Sequence, residues 1–270
     1  MVDTMRTQPA RGSAERQARL WSRAASDWSE RAEVLMHALY GAVLDRLGVG
    51  NGVSMLDVGC GAGVAASIAV SRGTSVSGLD ATPALIALAR ERAPAAEFQV
   101  GEMEQLPYPD GTFDVVTSFN AFQYAAEPVN ALAEARRVTR PGGRVAMVTW
   151  GRPDRVQMAA VMRAVGALLP PPPPGAPGPF ALSEPGALAD LARRAGLEPR
   201  EEGSHLDRWE LASLADAVRT TTSAGVMTPA IDLVGEDRVR AAVGAALAPF
   251  QTANGSVALH NEFVFLIAEA

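Results

Sequence analysis

The segment Leu56-Asp-Val-Gly-Cys-Gly-Ala-Gly63 decides the fold class of this chain of 270 residues. It begins inside a short apolar run, residues 53–58, which has the length of a β-strand and stops at glycines. Glycines let the backbone turn tightly out of a strand and approach a bound ligand closely. An ordinary glycine turn has the same composition, so both a structural turn and a ligand-binding loop remain open at this point.

Charge distinguishes between the ligands that such a loop would bind. A dinucleotide carries a pyrophosphate, which favours helix N-termini and nearby cations. Here the loop follows Asp57, no Arg occurs between Leu47 and Ser71, and Val64 stands where the dinucleotide fingerprint has its third Gly or Ala. An acid at this place attracts the sulfonium and ammonium groups of S-adenosylmethionine. The loop therefore favours a cationic ligand.

A second acid follows the next predicted strand. Asp80 ends the segment Gly78-Leu-Asp80, 21 positions after Gly59 (80 − 59). A carboxylate accepts two hydrogen bonds at once, so an Asp at this spacing suits both hydroxyls of an adenosine ribose. The alternative is an Asp that caps the helix after Pro83, since Asp favours helix starts. The spacing from the glycine loop favours the ribose.

Strands and helices alternate around these two motifs, and this order predicts an α/β fold with a doubly wound, parallel sheet. After residue 150 the pattern changes to helices, a proline-rich connector at 170–179 and strand-like material. The predicted strands are 53–58, 75–80, 96–100, 113–119, 144–150 and 197–206, with a terminal hairpin of 255–260 and 262–268. The predicted helices are 65–72, 83–92, 131–139, 156–169 and 183–196, with others within 16–47, 211–225 and 236–250, and 141–143 forms a turn.

Five blocks in this order resemble the class I S-adenosylmethionine-dependent methyltransferases. The similar branch acts on small molecules and includes ubiquinone and menaquinone methylases and natural-product tailoring enzymes. The blocks are Leu56-Asp-Val-Gly-Cys-Gly-Ala-Gly63, Gly78-Leu-Asp80, Gly101-Glu-Met-Glu-Gln-Leu-Pro107, Phe113-Asp-Val-Val116 and Arg140-Pro-Gly-Gly143. The resemblance implies a Rossmann-like, mostly parallel seven-stranded sheet with N-terminal helices and a helical cap. It also implies methyl transfer to carbon, oxygen or nitrogen of a small, largely apolar metabolite.

The resemblance also implies a set of cofactor-binding residues. The glycine loop flanks the methionine part, the acid at position 80 holds the ribose, and the backbone of residue 119 accepts from the ammonium group. The family usually has Asp where this chain has Glu102, so the contact with the adenine amino group is in question. The implied cofactor-binding residues are Trp28, Asp57, Gly59, Cys60, Gly61, Gly63, Asp80, Ala81, Glu102, Met103, Phe119 and Asn120.

Five segments make up the predicted organisation of the chain. Residues 1–15 form a polar disordered tail, and 16–50 form a helical lid. The resemblance implies that Trp28 of this lid seals the site, and packing onto the core is the alternative. The cofactor-binding core is 51–152. Residues 153–254 form the cap and substrate region, which includes the connector at 170–179 and the sixth strand, and 255–270 complete the sheet. Met158, Met162 and Met227 are candidates for an adaptable pocket wall or for core packing.

A catalytic base is optional for methyl transfer, because alignment and desolvation supply much of the rate. Histidine is the usual base near neutral pH. His205 and Tyr124 are the leading candidates, with His37, His260 and Tyr40 as alternatives. No spacing of Asp, Asn and His indicates a metal site.

The composition of the chain limits the kinds of partner that the protein is expected to bind. The net charge of −6 and the absence of a basic run argue against nucleic acid. Cys60 is the single cysteine, no apolar run reaches the roughly 20 residues of a membrane span, and no secretory signal is evident, so we expect a cytoplasmic protein without a membrane partner. A homodimer is left open. Two alternative functions remain: a cyclase or isomerase that binds S-adenosylmethionine without transferring methyl, and a non-catalytic binding module.

Overall fold

The computed structural model describes residues 12–171 and 179–270, and its centre is one seven-stranded sheet in the order β3-β2-β1-β4-β5-β7-β6. All neighbours from β3 to β5 are parallel, whereas β7 runs antiparallel to both β5 and β6. The predicted α/β fold with a mostly parallel, doubly wound sheet is confirmed. The strands are β1 Ser54–Val58, β2 Ser75–Asp80, β3 Glu97–Val100, β4 Phe113–Phe119, β5 Thr139–Trp150, β6 Glu198–Leu211 and β7 Val257–Glu269.

Helices cover both faces of the sheet. Buried side chains on one face join the N-terminal helices, α4 and the cap, and those on the other face join α6 and α8. The α-helices are α1 Ala14–Ser22, α2 Ala25–Asp27, α3 His37–Arg46, α4 Val64–Ser71, α5 Pro83–Arg92, α6 Pro128–Val138, α7 Ala159–Gly166, α8 Ala187–Arg194, α9 Leu214–Thr222, α10 Thr228–Val234 and α11 Glu236–Leu247. Between α2 and α3 lie a π-turn, Trp28–Ala32, and a 3₁₀ turn, Glu33–Met36.

The C-terminal segment differs from its prediction. The hairpin of 255–260 and 262–268 is wrong, because β7 is one continuous strand inserted between β5 and β6. Asn261 and Glu262, which stand where the turn was expected, are buried inside the strand. The amide Oδ1 of Asn261 accepts a hydrogen bond from the backbone N of Met158 at 3.0 Å, so this polar residue ties the strand to the start of α7.

Several boundaries also differ. The predicted turn at 141–143 lies inside β5 as part of a β-bulge. In this bulge the four residues 140–143 stand opposite the single residue Asp114 of β4, and Gly142 has φ +73°. Helix α8 begins at Ala187 and not at Ser183, since Gly186 before it adopts a left-handed conformation. Helix α10, which starts with Thr228-Pro229, was not predicted. The predicted tail 1–15 is wrong for residues 12–15, which are ordered; residues 1–11 and most of the connector, 172–178, lie outside the described residues.

Candidate functional site

A deep cavity opens at the carboxyl ends of β1 and β4, where the strand order reverses. Open α/β sheets bind ligands at this switch point. The empty space that the cavity and its open mouth enclose together is about 1430 Å³. The lid, the strand ends and the cap all contribute to its lining.

The glycine loop adopts backbone conformations that favour glycine. Gly59, Gly61 and Gly63 have φ values of +73°, +55° and +81°. A Cβ atom on Gly59 would lie 2.2 Å from the Cβ of Ala121, so no larger residue fits there. Gly59, Cys60 and Gly61 line the cavity. Gly63 instead caps α4 and packs against Ala89, so its part in the site is to start the helix.

Glu33, which sequence reasoning missed, reaches into this loop from the lid. Its carboxylate accepts hydrogen bonds from the backbone N of Ala62 at 2.8 Å and of Val64 at 3.0 Å. The side chain is buried, and burial raises its pKa to about 7. Arg92 lies 3.9 Å away and also holds the carbonyl of Ala62. A carboxylate of the protein therefore already occupies donors at the N-terminal end of α4, which a phosphate would otherwise use.

Asp57, at the end of β1, is a second buried carboxyl of the lining. Its Oδ1 accepts a hydrogen bond from the hydroxyl of Thr117 at 2.8 Å. Desolvation by burial raises the pKa of Asp57 to about 7, with further contributions from Glu33 and Asp80. Buried acids that share one cavity disfavour each other's ionisation. A positively charged ligand would relieve that repulsion.

Asp80 ends β2 with its carboxylate facing the cavity. One oxygen accepts from the backbone N of Thr82 at 2.8 Å and the other from Gly61 at 3.0 Å. These bonds hold the carboxylate between the glycine loop and the start of α5, while each oxygen keeps a further lone pair for a ligand hydroxyl. Burial raises the pKa of Asp80. Ala81 lies beside it in the lining.

Glu102 lines the cavity but serves the lid. Its Oε2 accepts hydrogen bonds from the backbone N of Ser13 and of Ala14, each at 2.7 Å, and its Oε1 accepts from Glu104 at 3.0 Å. It therefore holds the first turn of α1, where a carboxylate is favoured by the helix dipole. Met103 follows it, half-buried in the lining. A contact from Glu102 to a ligand amino group would have to share this carboxylate with α1.

Phe119 and Asn120 lie in the lining at the end of β4. Asn120 has φ +53°, the one positive value outside glycine among residues 12–171 and 179–270. Its amide Nδ2 approaches the sulfur of Met36 at 3.8 Å, a weak acceptor. Phe119 packs on Tyr40 with ring centroids 4.5 Å apart. Strained backbone of this kind is more common at functional sites.

The lid contributes two tryptophans to the wall of the cavity. Trp21 and Trp28 meet edge to face with centroids 4.7 Å apart, and both line the cavity. Among residues 12–171 and 179–270, four ion pairs join the lid to the cap: Arg19–Asp232, Arg23–Glu236, Arg31–Asp216 and Arg219–Asp27.

The catalytic candidates fall into two groups, those that line the cavity and those that do not. Tyr124 and Tyr40 line the cavity; burial raises the pKa of Tyr124 to about 12 and that of Tyr40 well above its usual value. His205 is not in the lining but on the edge strand β6, opposite Phe263, so the structure contradicts its selection as a base. His37 and His260 are exposed and also outside the lining. The described residues contain no group of three or more His, Cys, Asp and Glu that could hold a metal ion.

The cap supplies the apolar end of the cavity. Met158, Met162 and Met227 all reach the lining, as the sequence allowed, and Trp150 and Trp209 were not foreseen. The two indoles meet edge to face at 5.9 Å, and Trp150 stacks on Phe263 at 4.7 Å. No sequence motif marks these residues, because they come from strand ends and helices far apart in the chain. No helix in the described part of the chain is both long and apolar enough to cross a bilayer.

Comparisons with known proteins agree with this geometry. Residues 56–147 match a family model described as a methyltransferase domain. A malonyl-[acyl-carrier protein] O-methyltransferase of Serratia marcescens is 38% identical over 130 residues, which cover 47% of this chain and 49% of that protein. A demethylmenaquinone methyltransferase of Renibacterium salmoninarum is 32% identical over 131 residues, which cover 47% and 55%.

Among solved structures, the geranyl diphosphate C-methyltransferase of Streptomyces coelicolor A3(2) has a TM-score of 0.57 at 16% identity. The alignment covers 97% of this chain and 99% of that one, and that structure holds Mg²⁺, geranyl diphosphate and S-adenosyl-L-homocysteine. At this identity the likeness concerns the fold. This chain spans between 33% and 58% of the length of the curated relatives that it matches. Glu33, Trp28 and the cap lie outside the matched family segment.

Proposed function

We propose that this chain, which carries a methyltransferase domain over residues 56–147, is an S-adenosylmethionine-dependent methyltransferase that acts on a small, largely apolar metabolite. One observation carries the proposal. The lining of the cavity includes four carboxyls, those of Glu33, Asp57, Asp80 and Glu102, and no Arg or His among the described residues. A cationic cofactor fits this lining, whereas a pyrophosphate would be repelled.

The glycine-loop end has a place for each part of this cofactor. Asp80 would accept both ribose hydroxyls, with Ala81 and Met103 beside the adenine. Asp57 and the loop from Gly59 to Gly61 would flank the methionine part, with the carbonyl of Phe119 toward its ammonium group. Cys60 and Asn120 complete this end, and Trp28 would cover it. When bound, S-adenosylmethionine supplies a methyl group on a positively charged sulfur.

The chain's own residues would accelerate the transfer by alignment and by exclusion of water. The lid tryptophans and the apolar cap keep solvent out, and a dry site strengthens the attraction between carboxyls and a cation. Tyr124 and Tyr40 keep their protons at neutral pH, because burial raises their pKa values. We therefore assign Tyr124 to orienting an acceptor through its hydroxyl and not to general-base catalysis. Residues 16–50 would act as the lid and 153–254 as the substrate cap.

Calorimetry with S-adenosylmethionine, NAD⁺ and FAD tests the cofactor. We expect binding of the first and none of the other two; the reverse result would overturn the proposal. An assay for S-adenosylhomocysteine across a panel of small apolar acceptors then tests the transfer. Product without S-adenosylhomocysteine would favour a cyclase or isomerase instead. The net charge of −6 leads us to expect no affinity for nucleic acid, which a filter-binding assay checks.

A further inference from the structure

We infer that the cap end of the cavity selects an uncharged, ring-bearing acceptor and rejects molecules that carry a phosphate, sulfate or carboxylate. This inference rests on the proposed function and names the substrate class of the same site. The observation behind it is the distribution of charge. Apart from the uncharged hydroxyls of Thr220 and Thr221, the cap-end residues of the lining are apolar or aromatic, among them Trp150, Met158, Met162, Trp209, Val226 and Met227.

No cationic side chain of the described residues lies in the lining of the cavity. The guanidinium of Arg92 lies 3.9 Å from Glu33 of the lining and donates to the carbonyls of Ala62 and Ser29 at 2.6 and 2.8 Å. Arg31 and Arg219 at the rim are each bonded to an aspartate of the lid or cap. An anion at the cap end would therefore lose its hydration without gaining a cationic partner, which is costly in a buried site.

The acids of the cavity add repulsion to this desolvation cost. The carboxyls of Glu33 and Asp57 lie in the lining, and Asp207, which is outside the lining, is buried and accepts a hydrogen bond from the indole Nε1 of Trp209 at 3.4 Å. The cofactor brings one net positive charge to the site. The lining includes four carboxyls near this positive charge, so the electrostatic potential in the cavity does not favour an anion even with the cofactor bound.

Neutral polar groups and flat walls favour the opposite kind of acceptor. The hydroxyl of Tyr40 and the amide of Asn120 both contact the sulfur of Met36, at 3.5 and 3.8 Å. Sulfur is a weak acceptor, so a carbonyl or hydroxyl of a ligand would compete with it. Trp150 and Trp209 offer ring faces and edges, against which a planar ligand packs well.

A pair of isosteric probes tests the inference. The probes are 2-acetylnaphthalene and 2-naphthoate, which share a ring system and differ in one neutral or charged group. Binding to the full chain saturated with sinefungin, whose amine replaces the methylsulfonium, is followed by tryptophan fluorescence. We expect the neutral probe to bind at least about tenfold more tightly, a difference of about 1.4 kcal/mol or more. Equal or tighter binding of 2-naphthoate would overturn the inference.

A charge-adding variant makes the test specific for the cap end. Val226→Arg places a cation in the half-buried lining, and Val226→Gln is its uncharged control. We expect the Arg variant alone to gain affinity for 2-naphthoate, by about fivefold or more; no gain with the fold intact by circular dichroism counts against the inference. Sinefungin binding is measured first, so failure of the cofactor proposal is distinguishable from failure of this one.

Discussion

The two ends of the cavity share one lining but are built in different ways. The glycine-loop end comes mainly from residues 57–103, with Glu33 from the lid and Phe119 and Asn120 from the end of β4. Its carboxyls are held by backbone N–H groups or, for Asp57, by the hydroxyl of Thr117. The cap end comes from segments between residues 150 and 227 and has no ionisable acid in its lining. The difference leads us to expect that one end recognises charge in a fixed geometry, whereas the other recognises shape and the absence of charge.

The largest effect that we expect concerns Asp80, and it tests the contrast between the two ends most directly. Replacing Asp80 by Ala removes charge-assisted hydrogen bonds to the ribose, so we expect the Kd for S-adenosylmethionine to rise about 5–150-fold, or about 1–3 kcal/mol. Thr220→Val at the cap end is the matched control and should leave this Kd within about twofold. Calorimetry measures both. Unchanged affinity in Asp80→Ala would remove the ribose assignment.

A pH series sharpens the electrostatic side of the contrast. Glu33 and Asp57 have pKa values raised to about 7, so both gain charge as the pH rises from 6 to 8, and the affinity for the cationic cofactor should rise with it. Stability should move the other way. Between roughly pH 4.5 and 7 these two carboxyls hold protons in the folded chain that the unfolded chain has released. The free energy of unfolding therefore falls as the pH rises, by at most about 1.4 kcal/mol per pH unit for each group.

Glu33→Gln should flatten both pH profiles because it removes one of the two carboxyls. Urea unfolding without ligand and calorimetry with S-adenosylmethionine, each from pH 5 to 8, provide the measurements. Parallel profiles for the variant and the parent would show that Glu33 does not titrate in this range.

The contact between Glu102 and α1 predicts a smaller effect. Glu102→Gln weakens charge-assisted bonds to the backbone N of Ser13 and Ala14, so we expect faster hydrogen exchange of the amides in α1, by about fivefold, or about 1 kcal/mol. Glu104→Gln is the control, since Glu104 accepts from Ala126 and Glu127 and not from the lid. Equal exchange in both variants would mean that Glu102 does not dock the helix.

Salt should have the smallest effect. Each of the four ion pairs between the lid and the cap is exposed or half-buried and contributes only about 0.2–1 kcal/mol. Raising NaCl tenfold from low salt should speed the dissociation of S-adenosylhomocysteine by about two- to threefold, as followed by stopped-flow fluorescence. Arg193→Gln breaks a pair within α8 and should leave the rate unchanged. Salt-independent release would argue against these pairs as a restraint on the lid.

Sequence reasoning reached the glycine-loop end because its polar residues stand at fixed spacings along a few consecutive elements. Asp57, Asp80 and the glycines follow directly from that spacing, and all but Gly63 reach the lining. Glu33 has no such signal, since it lies in an irregular turn of the lid and meets the loop only after folding. A short π-turn before it is often found at functional sites, but nothing in the local sequence announces one.

The cap end was less accessible to prediction for a different physical reason. Apolar side chains such as Met158 and Trp209 are alike whether they line a cavity or fill a core, so composition cannot separate the two. His205 illustrates the converse error: its place after a predicted strand put it near the site, but the antiparallel pairing of β6 with β7 carries it to the sheet edge.

The hydrogen bonds between Glu102 and the first turn of α1 have a consequence for the catalytic cycle. The lid segment also lines the cofactor end, through Trp28 and Glu33, so we expect spent cofactor to leave only after the lid has lifted. Lid opening of this kind often limits turnover. We therefore expect a burst of one methylated product per chain, followed by a slower steady rate that reports the exchange of one nucleoside for the next.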